Sequence, residues 1–318
     1  MSATSPDLTQ VGNDGYVSAE DVLFLRRNVF ADGVVSAAEL DALFRLGEKA
    51  EDGDREWAQY FAEAAADFYL REEEPQGYLT QDEFATLKAR VTRDGAKASG
   101  LELGLLVKLL ETATSTPAEM ADFVGEQIKR HITEKPGGPI VNADDAALVR
   151  RYIFAAGGDG NVAVTRDEAE LLFDLSDAAA NADNDPSWDD LFKKAVSNHL
   201  MAHIGYNPVG RAQALGVYDA IVNDRRGGSG AGFFGRLGTL LSNPAKRVEE
   251  RHRANNEVRE QAAAVAEQIT PQEADWVADR IGRDGVLHPS EKALITYMRD
   301  ELDADLPPKL KALAEKAA

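Results

Sequence analysis

The residues of this chain best suited to chemistry are carboxylates that recur beside glycine. Asp32-Gly33, Asp159-Gly160 and Asp284-Gly285 are each followed a few residues on by a glutamate: Glu39, Glu168 and Glu291. Several oxygen ligands converging on one hard cation make a calcium site, and a bidentate glutamate closes its shell. The same residues also suit an ordinary helical hairpin. Asp-Gly supplies a left-handed helix stop and a turn. A Ser or Thr with a Glu three positions later forms a capping box at the next helix start. Ser36 with Glu39 and Thr165 with Glu168 have that spacing, so the carboxylates are candidate cation ligands and candidate caps at once.

Around Gly33 the spacing is EF-hand-like in part. Asn28 falls at the first loop position, Asp32 at the fifth, Gly33 at the sixth, Ser36 at the ninth and Glu39 at the twelfth. The third position is Phe30, which offers no oxygen ligand. The segment Ala31–Glu39 resembles the helix-joining segment of tellurite-resistance TerB-like domains, and Arg283–Glu291 resembles it more loosely. That resemblance implies an all-α, cytoplasmic protein of paired helical units tied to stress responses. In some members of that family, acidic residues from two such segments meet to hold a metal. Carried over to this chain, it implicates Asp32, Glu39, Asp159, Glu168, Asp284 and Glu291, with a divalent cation such as Ca²⁺ as the cofactor.

Other constellations carry less chemistry. His199 and His203 share one helix face and could hold a transition metal, but no third ligand is near in sequence. A histidine close to a helix C-terminus also complements the dipole. Gly230-Ala231-Gly232-Phe233-Phe234-Gly235 has the glycine spacing of a dinucleotide loop but lacks the strand before it. The same region is basic: from Arg225 to Arg253 there are seven Lys/Arg and two acids. With its apolar residues it makes a candidate docking segment, represented by Arg225, Arg226, Phe233, Phe234 and Arg236. Docking onto the chain's own acidic surface is the simpler use of such a segment. No phosphate-binding lysine loop, HExxH or GxSxG stands in the chain, so the sequence does not call for an enzyme.

Behind these residues stands a repeat. Gly15-Tyr16-Val17-Ser18 returns as Gly77-Tyr78-Leu79-Thr80, then at the same spacing as Ile140-Val141-Asn142, and again as Gln268-Ile269-Thr270. Each copy begins a helix with a capping residue, and a second capped helix and a third amphipathic helix follow. The third-helix stripes are Trp57, Tyr60, Phe61, Ala64 and Phe68, then Met120, Phe123, Val124 and Ile128, then Trp188, Leu191, Phe192, Ala195 and His199. A fixed period of this length signals stacked copies of one unit. The expected fold is all-α, with four related three-helix units in tandem forming two halves. The first half, 1–135, holds units 17–72 and 79–133. The second, 136–318, holds units 141–203 and 269–315, separated by a helical and Gly-rich insertion at 204–264. Pro136-Gly137-Gly138-Pro139 marks the boundary between halves.

Composition bounds the rest. The chain has 318 residues, 44% of them hydrophobic, and a formal charge of −20. So acidic a chain repels phosphate backbones and anionic lipid, which leaves proteins and cations as partners rather than nucleic acid or membranes. Cysteine is absent, removing thiolate sites and disulfides. No apolar run approaches the roughly 20 residues that span a bilayer, and Met1–Gln10 is polar with no secretory signal. The expectation is a cytoplasmic, non-enzymatic acidic helical-repeat protein acting as a protein-interaction or scaffold module. TerB-like cation binding is the alternative.

Overall fold

Helices begin where short capping motifs end. Ser18, Ser36, Thr80 and Ser99 each accept a hydrogen bond from the backbone N–H three residues on, and the acid at that position bonds back to the cap. The computed structural model describes residues 11–29, 35–50, 52–73, 75–156, 164–202, 271–283, 286–301 and 308–317. Among them the chain is mostly helical. From the N-terminus come α1 (Ala19–Phe24), α2 (Ala37–Lys49), α3 (Arg55–Asp67), α4 (Gln81–Val91), α5 (Gly100–Thr112), α6 (Met120–Thr133) and α7 (Ala143–Ala156). Then follow α8 (Arg166–Ala178), α9 (Pro186–Ala202), α10 (Pro271–Arg280), α11 (Pro289–Glu301) and α12 (Pro308–Ala317). Two wider π-helical turns continue α1 and α3, at Leu25–Val29 and Phe68–Glu72. No described helix is long and apolar enough to cross a membrane.

Two strands of two residues each, β1 (Tyr16–Val17) and β2 (Asp52–Gly53), pair in parallel with Tyr16 opposite Asp52. They are too short for any alternating pattern to announce them. The same contact recurs in simpler form. Asp54 N donates to Val17 O at 2.9 Å, Leu79 N to Ser115 O at 3.1 Å, and Asp185 N to Val141 O at 2.9 Å. Each bond ties a copy of the repeated phrase to the turn that precedes a later helix. Gly15 and Gly77 open the first two copies with φ of 85° and 83°, a left-handed conformation that favours glycine.

By contact the chain divides into two compact units. One comprises Met1–Ala156 with Asp174–Trp188, the other Gly157–Phe173 with Asp189–Ala318. In the first, α5 is the central helix and packs against α3, α6 and α7. Its sequence explains the position: Leu101, Leu103, Leu105, Leu106, Val107 and Leu109 are all buried, so it is apolar on more than one face. Trp57 is completely buried at the start of α3, with Nε1 donating to Ala50 O at 3.1 Å. Between α6 and α7, Pro136–Pro139 forms a turn closed by Gly138 N to Lys135 O at 3.1 Å, and the two helices pack together. In the second unit α12 packs on α10 and α11, and Leu310 is buried. The helical and Gly-rich insertion expected at 204–264 lies outside the described residues.

Candidate functional site

The recurring glutamates sit at the third position of their helices, and their carboxylates point back at the cap. Glu39 Oε2 accepts from Ser36 N at 2.8 Å and from Ser36 Oγ at 2.7 Å. Glu168 Oε2 accepts from Thr165 N at 2.7 Å, and Glu168 N donates to Thr165 Oγ1 at 3.3 Å. Glu291 uses both oxygens: Oε1 accepts from Gly282 N at 2.7 Å and Oε2 from His288 N at 2.8 Å. The bonds from Ser36, Thr165 and His288 satisfy backbone donors at a helix start, and the one from Gly282 ties the chain just past the end of α10 to α11. Glu168 and Glu291 are 4% and 1% exposed. Burial holds the Glu168 carboxyl above its ordinary range, against the pull of its bonds to Thr165.

A divalent cation would need further oxygen ligands beside these carboxylates. Among the described residues no three His, Asp or Glu side chains stand together in a way that could hold a metal. The described carboxylates alone therefore do not make a coordination shell. Asp32, Asp159 and Asp284, the other members of the three pairs, lie outside the described residues. So do Arg225, Arg226, Phe233, Phe234 and Arg236 of the basic segment, and His203.

His199 is almost wholly buried, and its Nδ1 is 2.8 Å from Val164 O. A carbonyl oxygen only accepts, so the proton is on Nδ1. The ring meets Trp276 edge-on, with centroids 5.3 Å apart. Around that tryptophan lies a polar and aromatic cluster that sequence reading missed. Trp276 Nε1 donates to Glu170 Oε1 at 2.5 Å, the Arg166 guanidinium lies 3.7 Å over the indole, and Arg280 pairs with Glu170 at 3.4 Å. Its only sequence signal is spacing: Arg166 with Glu170, and Trp276 with Arg280, each lie four apart on one helix face.

A second missed cluster surrounds Asp145, at the third position of α7. Asn142 N donates to Asp145 Oδ2 at 2.8 Å, Lys135 makes an ion pair with the same oxygen, and His131 Nε2 is 3.6 Å from Oδ1. Asp145 is 4% exposed. Burial is the largest influence on its pKa and pushes it up, but the bonds from His131, Lys135 and Asn142 together hold it below the ordinary aspartate range. Lys135 also donates to Ile140 O at 3.1 Å.

The repeated phrase alternates in exposure. Val17, Leu79 and Val141 are buried, while the residues just before them, Tyr16, Tyr78 and Ile140, are 42%, 44% and 38% exposed. Tyr16 is anchored in place, its hydroxyl donating to Asp54 Oδ1 at 2.6 Å. Leu23, Phe24 and Phe154 are further large apolar side chains open to solvent in the same unit. Compared with known proteins, the chain matches no family model, no curated protein and no solved structure.

Proposed function

We propose that this chain is a non-enzymatic helical-repeat protein of the cytoplasm that serves as a protein-interaction or scaffold module. It is built from four related three-helix units. Several features support the repeat: the matched left-handed glycines at 15 and 77, and the recurring bonds from Val17, Leu79 and Val141 to later turns. The capping boxes of Ser18 with Asp21, Thr80 with Glu83, and Asn142 with Asp145 stand at equivalent places.

One observation carries the interaction reading. Tyr16, Tyr78 and Ile140 occupy the same step of the repeated phrase, and all three are left exposed while their successors are buried. A single exposed apolar side chain needs no explanation. An outward one that returns at the same step of three copies is a feature of the unit, and a repeated outward feature suits a surface that meets other chains. The acidic charge of −20 favours a partner with a basic face.

Size-exclusion chromatography with light scattering, run on tagged protein from gently lysed cells of its source, tests this directly. The expected mass lies well above the 34.4 kDa of one chain, through a partner or through self-assembly. A monomer alone, at every ionic strength tried, would contradict the reading.

A further inference from the structure

We propose that the cleft between α2, α4 and the start of α5 binds a small organic anion, with a phosphate or carboxylate head on an apolar body. The cleft has a volume of about 240 Å³. Phe44, Gly47 and Phe61 supply an apolar wall, and Arg90, Arg93 and Lys97 bring three positive side chains to it. Glu48 and Glu102 line it as well, so the cations outnumber the acids by one, in a chain of net charge −20.

The donors are held in place by the fold and are not used up by it. Arg90 lies 4.5 Å over the Phe44 ring, and its Nη2 pairs with Asp41. Its Nη1 is buried and has no hydrogen-bond partner. A guanidinium carries five N–H donors, so the pairing with Asp41 does not saturate Arg90. Arg93 Nη2 pairs with Glu48 at 2.7 Å, which leaves the other guanidinium nitrogens for a second acceptor. Lys97 Nζ donates to Glu134 O at 2.9 Å, a neutral carbonyl that does not cancel its charge. The nearest acid on α5, Glu102, turns its carboxylate to Ser99 N at 2.8 Å, as a cap.

The size sets the ligand class. Clefts for drug-sized molecules run from about 300 Å³ upward, so this one suits a body of a single ring or a short chain. The anionic head meets the three cations, where charge-assisted bonds give orientation, and the body lies against the Phe44 side.

An amide NMR titration of the full chain with phenyl phosphate, benzoate and benzyl alcohol tests the proposal. The expected result is saturable shifts centred on residues 90–102 with at least one of the two anions and none with the neutral alcohol. Tighter phenyl phosphate binding assigns a phosphate head, and tighter benzoate binding assigns a carboxylate. Arg93→Gln with Lys97→Gln, which leaves Arg90 and its contacts untouched, should weaken the anion at least tenfold, and added salt should weaken it in the wild type. No saturation in the millimolar range with either anion would overturn the proposal. So would equal binding of the alcohol, or unchanged affinity in the double variant.

Discussion

Asp145 and Glu168 hold the same place in a capping box, three residues after Asn142 and Thr165, yet their acidities move in opposite directions. Burial opposes ionisation in both. Asp145 also receives Lys135 and His131, which outweigh it, whereas Glu168 has its cap bonds and a repelling neighbour, Asp167. The stability Asp145 contributes is therefore present above the ordinary aspartate value and is lost as pH falls through its lowered one. Glu168 runs the other way: its folded form holds its proton longer, so stability falls as pH rises from the ordinary glutamate value through its raised one. Asp145→Asn should cost about 1–3 kcal/mol at pH 7, because it strips Lys135 of its partner, and the difference should shrink near pH 2. Glu168→Gln keeps an acceptor for Thr165 and removes a buried charge. It should be neutral at pH 7 or stabilising by about 1 kcal/mol, and should flatten the pH profile. Urea unfolding across pH 2–8 reads both. For Glu39, calorimetry separates cap from ligand. Glu39→Gln should cost about 0.5–1 kcal/mol of stability and leave the response to Ca²⁺, Mg²⁺ and Zn²⁺ unchanged. A saturable divalent site in the wild type, lost with Asp32→Asn and Glu39→Gln together, would instead favour the TerB-like reading.

Element by element, what the sequence revealed was whatever is encoded within a few neighbouring residues. The capping boxes at Ser18, Ser36, Thr80 and Ser99 lie within four positions each and could be read directly. The stripe of α3 was also readable as far as Ala64, and Trp57, Tyr60, Phe61 and Ala64 are buried as its spacing implied. It slips at Phe68, which is only half-buried, while Tyr69 and Leu70 are buried in its place. The chain passes there into a π turn, whose longer i→i+5 step shifts the buried face. Gln127 was unreadable for another reason: it is buried because its Oε1 accepts from Ala98 N at 3.0 Å, a partner far away in sequence. The Trp276 cluster escaped for the same reason, with Glu170 106 residues away, and at Asp145 the cap bond is local but Lys135 and His131 come from across the turn at 136–139. The pairing of β1 with β2 rests on a close approach at Gly53, where a Cβ would lie 2.6 Å from Val17 O and 2.7 Å from Trp57 Cδ1. A backbone carbonyl cannot move aside, so Gly53→Ala should destabilise by about 2–3 kcal/mol. Gly15→Ala, which meets open space but needs a φ of 85°, should cost about 1 kcal/mol. Equal costs in denaturant unfolding would show that the close approach at Gly53 does not constrain the fold.

On the scale of the whole molecule, charge acts first. A net charge of −20 makes the folded chain repel itself, so its unfolding midpoint in urea should rise between low and moderate salt. A midpoint that falls with salt would mean that the surface ion pairs, such as Arg151 with Glu111 at 2.8 Å, outweigh the repulsion. The repeated phrase divides its residues between two tasks. Val17, Leu79 and Val141 are buried, and Tyr16, Tyr78 and Ile140 are left outward. If those three make the contact surface, replacing them should abolish association and spare the fold. The most direct measurement is side-by-side affinity purification, from native lysate, of the wild type and of Tyr16→Ser, Tyr78→Ser, Ile140→Ser combined, with circular dichroism confirming that both are folded. A stoichiometric partner, or a second copy of the chain, recovered with the wild type and lost with the variant is the expected result. Equal recovery by both, or no associated chain with either, would contradict an interaction module built on this repeat.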